Sequence, residues 1–262
     1  MDMPDKIRQL AELIRNSAGT VFFGGAGVST ESGIPDFRSE SGLYSAQRVY
    51  GHSPEELLSH AVFEHEPALF FRYYKENLIY TDAKPNAAHI ALARFERQGL
   101  LQAIITQNID GLHQAAGSRN VLELHGSNLR HYCVRCNAKY PLEYIMDSAN
   151  CDGGGIPICA KCGGLAVPLR GNCIVRPDVV LYGENLDDAV VHAAIHAIAG
   201  AELLIVGGTS LAVYPAAGLL QYFRGGTLVL INKTATPYDS AAQLVIRGAI
   251  GEVMAQAGAL LT

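Results

Sequence analysis

Four groups of residues stand out by type and spacing. The segment Thr106-Gln107-Asn108-Ile109-Asp110-Gly111-Leu112-His113 sets an amide pair and a carboxylate at the end of an apolar run, where polar groups need partners or a ligand. Leu124-His125-Gly126 follows, and an imidazole is the side chain whose ordinary pKa suits it to take a proton near neutrality. Cys133-x-x-Cys136 and Cys159-x-x-Cys162 supply four thiolates in two matched knuckles. The gap between them is slightly wider than the ~15–20 residues of the usual four-cysteine zinc pattern. Four sulfur ligands complete a tetrahedral ion, so this zinc is expected to hold a module together and not to do chemistry. A redox role would ask for one reactive pair at a helix N-terminus, not two matched pairs. Cys151 and Cys173 are left as spare loop thiols, with Cys151 a competing ligand.

The fourth group is GGAGVSTESGIPDFR at 24–38, which approaches the dinucleotide fingerprint G-x-G-x-x-G. Gly25, Ala26 and Gly27 provide its start. Thr30 then stands where the third glycine belongs, and Pro35-Asp36-Phe37-Arg38 follows where a helix should continue.

The elements that must position these groups are legible in the apolar pattern. Ile7, Leu10, Leu13 and Ile14 recur at helical spacing before Gly19 and the strand-like Val21-Phe22-Phe23. Ser53-Pro54-Glu55-Glu56 opens an aromatic-rich helical stretch through Phe70, Phe71, Tyr73 and Tyr74. Leu100 to Thr106, Leu203 to Val206 and Leu228 to Ile231 read as buried strands separated by helical or inserted sequence. This alternation predicts an α/β fold with a parallel sheet wound by helices. Gly24-Gly25, Gln107-Asn108, Gly207-Gly208-Thr209-Ser210 and Asn232-Lys233 each lie just past a strand, on the edge where open parallel sheets bind ligands and where glycine loops admit phosphate. From about Ser127 to Asn172 cysteine, glycine and proline replace apolar periodicity, as in an inserted module. The predicted organisation is a nucleotide domain from 1–36, 85–126 and 173–262, a helical insertion at 37–84 and a zinc module at 127–172.

Composition narrows the function classes. A chain of 262 residues that is 49% hydrophobic and 17% charged, with 27 glycines, has the balance of a globular α/β protein. Its net charge of −5 provides no overall basic surface for nucleic acid. The start MDMPDKIRQLAELIRNSAG has no apolar signal core, and no run approaches the ~18 apolar residues of a spanning helix. Six cysteines in such a chain are expected to be reduced, which places the protein in the cytoplasm. His192 and His196 share a helix face, but Ala193 replaces the glutamate of a zinc-hydrolase HExxH.

GAGVSTESGIPDFR, TQNIDGLH, LHG, two CxxC pairs, RPDVVLYGE, GTSL and INK, in this order, resemble the sirtuin family of NAD-dependent protein deacylases, from about Gly24 to Val253. The resemblance implies a Rossmann-like domain with a zinc ribbon, NAD as consumed cosubstrate and acetylated lysine peptides as partners. It implies His125 as general base, with Asn108 and Asp110 positioning the ribose and carboxamide beside Gln107 and Ile109. Ala26, Thr30 and the segment Asp36-Phe37-Arg38 are implied around the nicotinamide end. Gly208, Thr209 and Ser210 are implied in the phosphate region, and Asn232, Lys233 and Ile250 toward the adenosine. Val180, Leu181, Tyr182 and Gly183 resemble the segment that takes substrate peptide as an added strand; a core strand is the plainer reading. Relatives acting on acidic acyl groups carry Tyr-x-x-Arg in the aromatic helix. Here Phe71 and Tyr74 fall at those positions, which favours acetyl, with Arg72 close by. The stretch LAVPLRGNCIV between Cys162 and Arg176 is longer than the family pattern. Mono-ADP-ribosyl transfer, a non-acetyl deacylase and an NAD-sensing module are the competing readings.

Overall fold

The computed structural model describes residues 2–36, 46–163 and 173–261. The expectations for Phe37 and Arg38, and most of the stretch after Cys162, lie outside these residues.

Helix α1 (Met3–Asn16) begins where the Asp2 carboxylate accepts the Asp5 N–H, and it buries Ile7, Leu10, Ala11 and Ile14 along one face. Strand β1 (Thr20–Gly24) follows, buried at every position. With β2 (Ala103–Thr106), β3 (Val121–Glu123), β7 (Leu203–Gly207), β8 (Thr227–Ile231) and β9 (Leu244–Ile246) it forms one sheet in the order β3-β2-β1-β7-β8-β9, every pair parallel. This is the doubly wound order, and its reversal point lies between β1 and β7.

Both faces of the sheet are covered, which is why its strands read as unbroken apolar runs. Phe22, Ile104, Ile205 and Val229 face α1, α5 (Ala87–Arg97) and α9 (Ile250–Ala259) in one core. Val21, Phe23, Ile105, Leu204 and Val206 face α8 (Asp188–Gly200) in the other. His192 and His196 lie on the exposed side of α8, as their spacing suggested.

The stretch read as one aromatic helix is three, α2 (Pro54–Leu57), α3 (His60–His65) and α4 (Pro67–Asn77), because Ser59 and Pro67 each restart the chain. The second sheet is antiparallel, ordered β5-β4-β6, with β4 (Gly126–Cys133), β5 (Lys139–Pro141) and β6 (Val175–Val179). The expected return to the nucleotide domain at residue 173 is therefore too early. Residues 175–179 pair with β4 and only afterwards does the chain rejoin the parallel sheet. Nor are the helical insertion and the cysteine module separate bodies. Leu57, Phe63, Phe70, Phe71 and Tyr74 share a third core with Cys133, Ile145, Cys159, Val175 and Leu181.

Buried histidines make the fold acid-sensitive. His113, on α6 (Leu112–Ala115), lies 4.7 Å from His89 between ring centroids, and burial pushes it down to about 3. Burial also lowers His89, and it takes His131 down to about 4. Below the ordinary value of 6.5 the unfolded chain binds protons that the folded one refuses, so stability is complete above pH 6.5 and falls as the pH drops. Urea titrations of His113→Leu against the parent between pH 7.5 and 5 should show a shallower loss in the variant; equal slopes would remove His113 from this account.

Candidate active site

At the reversal point, two loops pack so closely that side chains are excluded. A Cβ on Gly27 would stand 2.8 Å from Gly208 Cα, and one on Gly208, itself at φ +59°, 2.5 Å from Val28 N. Gly27 N–H donates to the Gly208 carbonyl at 2.8 Å. The fingerprint glycines thus fit one loop against another. Thr30 does not need to be glycine, because its hydroxyl turns back to the Gly27 carbonyl at 3.0 Å in a 3-10 turn.

Above these loops opens a cavity of about 710 Å³. Ala26, Asp36, Gln107, Asn108, Ile109, Asp110, His125, Val180 to Gly183 and Gly208 to Ser210 line it, so most of the predicted site residues converge. Gly25, Gly27 and Thr30 are not among the residues that line it. Asn232 and Lys233 sit past β8, where the Asn232 side chain holds the Thr234 carbonyl at 3.0 Å. Ile250 is buried in the sheet core, with its Cδ1 2.5 Å from where a Gly207 Cβ would lie. An apolar side chain at the head of α9 stabilises that core, so the structure gives Ile250 no place on the cavity wall.

Ser29 is the residue that sequence reasoning passed over. It is 1% exposed, accepts from Asn108 Nδ2 at 3.0 Å and donates to Asp110 Oδ2 at 2.6 Å. Asp110 Oδ1 takes the Leu112 N–H at 2.9 Å and starts α6, where Gly111 adopts φ +74°. The amide and the carboxylate are thereby fixed through one hydroxyl. Gln107 reaches Thr209 Oγ1 at 3.3 Å, joining the β2 loop to the β7 loop.

His125 is held from both sides of its own chain. Its Nδ1 is 2.9 Å from the Gln107 carbonyl, which only accepts, so Nδ1 carries the hydrogen and Nε2 the lone pair. The glycine of the His-Gly pair is explained by Gly126, at φ +77°: a Cβ there would meet the Asp178 carbonyl oxygen at 2.0 Å. β4 could not pass so close to β6 with any side chain at this position.

The wall formed by Val179 to Glu184 continues from β6 and is not a core strand. Val180 N–H donates to the His125 carbonyl at 3.0 Å, Tyr182 N–H to Leu58 at 3.0 Å, and Tyr182 accepts from His60 N–H at 2.9 Å. Arg176 grips Glu184 with two hydrogen bonds of 2.7 and 2.9 Å, and His60 Nδ1 adds a third at 2.8 Å. Burial would raise the Glu184 carboxyl, but the bonds from Arg176, the Leu181 N–H and His60 prevail and hold it at about 2. Glu184→Gln leaves Arg176 buried without its counter-charge, a loss of up to about 3–5 kcal/mol for a fully buried pair. The expected result is a raised KM for acetyl-peptide with a smaller change in kcat, read by steady-state kinetics.

Of the two positions expected in α4, Phe71 and Tyr74 both belong to the third core and Tyr74 also lines the cavity, with Asn77 beside it one turn further along the same register. The helix is held in that register by Phe71 packing edge-on to Phe63 and Phe70. Arg72 turns outward over the Tyr50 ring toward Glu76. Among the described residues no lysine or arginine lines the cavity.

Sγ atoms of Cys133, Cys136, Cys159 and Cys162 all lie within 4.8 Å of one another. Cys133 to Cys162 is 3.4 Å and Cys136 to Cys159 is 3.6 Å, close to the ~3.8 Å edge of a tetrahedron with Zn–S of about 2.3 Å. The donor set fits a structural zinc ion. Cys151 is bound instead to Lys75 Nζ at 3.3 Å and is no ligand.

Comparison with known proteins agrees with this arrangement. The Sir2 family model matches residues 25–215. The NAD-dependent protein deacetylase of Clostridium perfringens (strain 13 / Type A) is 58% identical over 253 residues, 96% of this chain and 98% of its own. That of Cutibacterium acnes (strain DSM 16379 / KPA171202) is 53% identical over 246 residues, 94% and 95% of the two chains. A solved structure of Sir2 with a p53 peptide and NAD+ superposes at TM-score 0.82 and 38% identity, covering 97% of this chain and 96% of that one. Sir2 bound to acetylated peptide gives 0.83 at 36% identity over the whole of both chains. Likeness at this level runs from the glycine loops through the cysteine module to the end of the sheet, and the chain belongs to the Sir2 family.

Proposed function

We propose that the chain is an NAD-dependent protein-lysine deacetylase, which passes the acetyl group of a modified lysine to ADP-ribose and releases nicotinamide and O-acetyl-ADP-ribose. The observation that carries this is His125 with a fixed tautomer, in one cavity with the Asn108–Ser29–Asp110 network. The names of the relatives above support the same activity. NAD supplies the ribose carbon that the acyl oxygen takes as nicotinamide leaves. Asn108 and Asp110 orient the ribose and carboxamide, and His125 Nε2 accepts the proton of the ribose hydroxyl that receives the acyl group. Gly208, Thr209 and Ser210 present the β7 loop to the phosphates, while Asp36 lines the same cavity and faces the nicotinamide end.

Peptide lies along Val180 to Gly183 and adds main-chain pairing, so sequence preference is broad. Among the described residues the wall carries no lysine or arginine to pair with an acidic acyl group, which favours acetyl over succinyl. The protein acts in the cytoplasm, where thiols stay reduced and a four-thiolate zinc site persists. The test is nicotinamide release from NAD with acetyl-lysine, succinyl-lysine and unmodified peptides. Release that depends on acetyl-lysine is expected; release indifferent to the acyl group, with ADP-ribose appearing on protein, would assign ADP-ribosyl transfer instead.

A further inference from the structure

Five sulfur atoms, not four, gather at the zinc site. Cys173 Sγ lies 3.5 Å from Cys162 Sγ and donates to the Cys162 carbonyl at 3.2 Å. Arg135 Nη1 stands 3.7 Å from the same sulfur. The main chain fixes this approach: Cys159 N–H donates to the Cys173 carbonyl at 2.8 Å and Val134 N–H to Ile174 at 3.0 Å, tying the residue to both knuckles. Cys173 is nevertheless outside the set of four sulfurs that lie within 4.8 Å of one another. A tetrahedral ion has no position for it.

A disulfide has an S–S length of ~2.05 Å, so the two sulfurs need to close by about 1.5 Å, a displacement of side chains and not of backbone. Cys133 and Cys159 are buried, whereas Cys136, Cys162 and Cys173 are partly exposed. Of the two ligands within reach of a small oxidant, Cys162 is the one with a spare thiol beside it.

We propose that Cys173 is a resolving thiol for the zinc site, so that hydrogen peroxide joins Cys162 to Cys173 and releases the metal. The Cys162 thiolate attacks peroxide, the O–O bond breaks, and a sulfenic acid forms as hydroxide leaves. Cys173 sulfur then attacks the sulfenic sulfur; the S–S bond forms, the S–O bond breaks, and the departing hydroxide takes the thiol proton as water. One thiolate and one thiol have given two electrons, and one peroxide has become one water and one hydroxide, which a solvent proton turns into the second water. The ion is left with three thiolates and dissociates. A dithiol reverses the disulfide, and added zinc restores the site. Cys173 leads directly into β6 and thence to the peptide wall at Val180 to Gly183, so the exchange alters the seat of the substrate peptide.

The experiment uses the full chain, its zinc content first measured, as parent, Cys173→Ser and Cys151→Ser. After peroxide, zinc release is followed with a metallochromic dye and the disulfide is mapped by mass spectrometry of unreduced peptides. The expected result is zinc release matched by a Cys162–Cys173 crosslink in the parent and in Cys151→Ser, both reversed by dithiothreitol and zinc. Cys173→Ser should release zinc several-fold more slowly and fail to recover it. Equal release in Cys173→Ser, or zinc lost with no crosslink between these two residues, would overturn the proposal. A chain that carries no zinc before treatment would overturn the site itself.

Discussion

Replacing His125 by alanine is expected to lower acetyl-lysine turnover by about 10²–10⁴-fold while NAD binding and the thermal midpoint stay close to those of the parent. The size of the loss follows from the geometry. Nδ1 is committed to the Gln107 carbonyl at 2.9 Å, so the proposed base has its lone pair on Nε2 and needs no tautomer change. His125 is only partly buried and belongs to none of the three cores, so its removal opens little cavity. Gly126→Ala provides a second route to the same defect. Its Cβ would collide with the Asp178 main chain, so β4 must shift and carry His125 with it. Both variants should keep NAD binding and lose turnover. Turnover of His125→Ala within a few-fold of the parent would remove the residue from the reaction.

The parallel sheet was legible because burial on both faces leaves strands such as Leu203 to Val206 no polar position at all. The second sheet was not. β4 mixes Ser127, Asn128, Arg130 and His131 with Leu129, Tyr132 and Cys133, and a register shift between Ser127 and His131 breaks any alternation. The cysteine site was readable from spacing alone, since a CxxC knuckle is a local device. Ser29 was not, because a hydroxyl in a 3-10 turn looks like any loop serine. Its meaning comes from Asn108 and Asp110, 79 and 81 residues away in sequence. The cavity side of α4 was legible only in part: Phe71, Tyr74 and Asn77 all sit plausibly on a helix, and only packing against Phe63 and Phe70 keeps Phe71 off the wall that Tyr74 and Asn77 join.

Removing the zinc is expected to unfold the cysteine module and the helical insertion together while the nucleotide domain survives. Cys133 and Cys159 are 0% and 1% exposed within the third core, beside Phe70, Phe71, Tyr74 and Ile145. A three-stranded antiparallel sheet of this size has little stability of its own, whereas structural zinc contributes an apparent ~10–16 kcal/mol in small zinc domains. The two cores of the parallel sheet draw on α1, α5, α8 and α9 and contain none of the described residues of the module. Cys159→Ser, or the parent stripped by a strong chelator, should therefore show two thermal transitions where the parent shows one, the new one at lower temperature. Acetyl-peptide binding should vanish with the earlier transition, because the wall from Val180 to Gly183 hangs on β6 and on Leu58 and His60. NAD should still bind, since the Gly27–Gly208 contact and the Asn108–Ser29–Asp110 network lie on the sheet itself. If a metal-free chain keeps a single transition and its peptide affinity, the third core stands without zinc and the four cysteines do not hold it together.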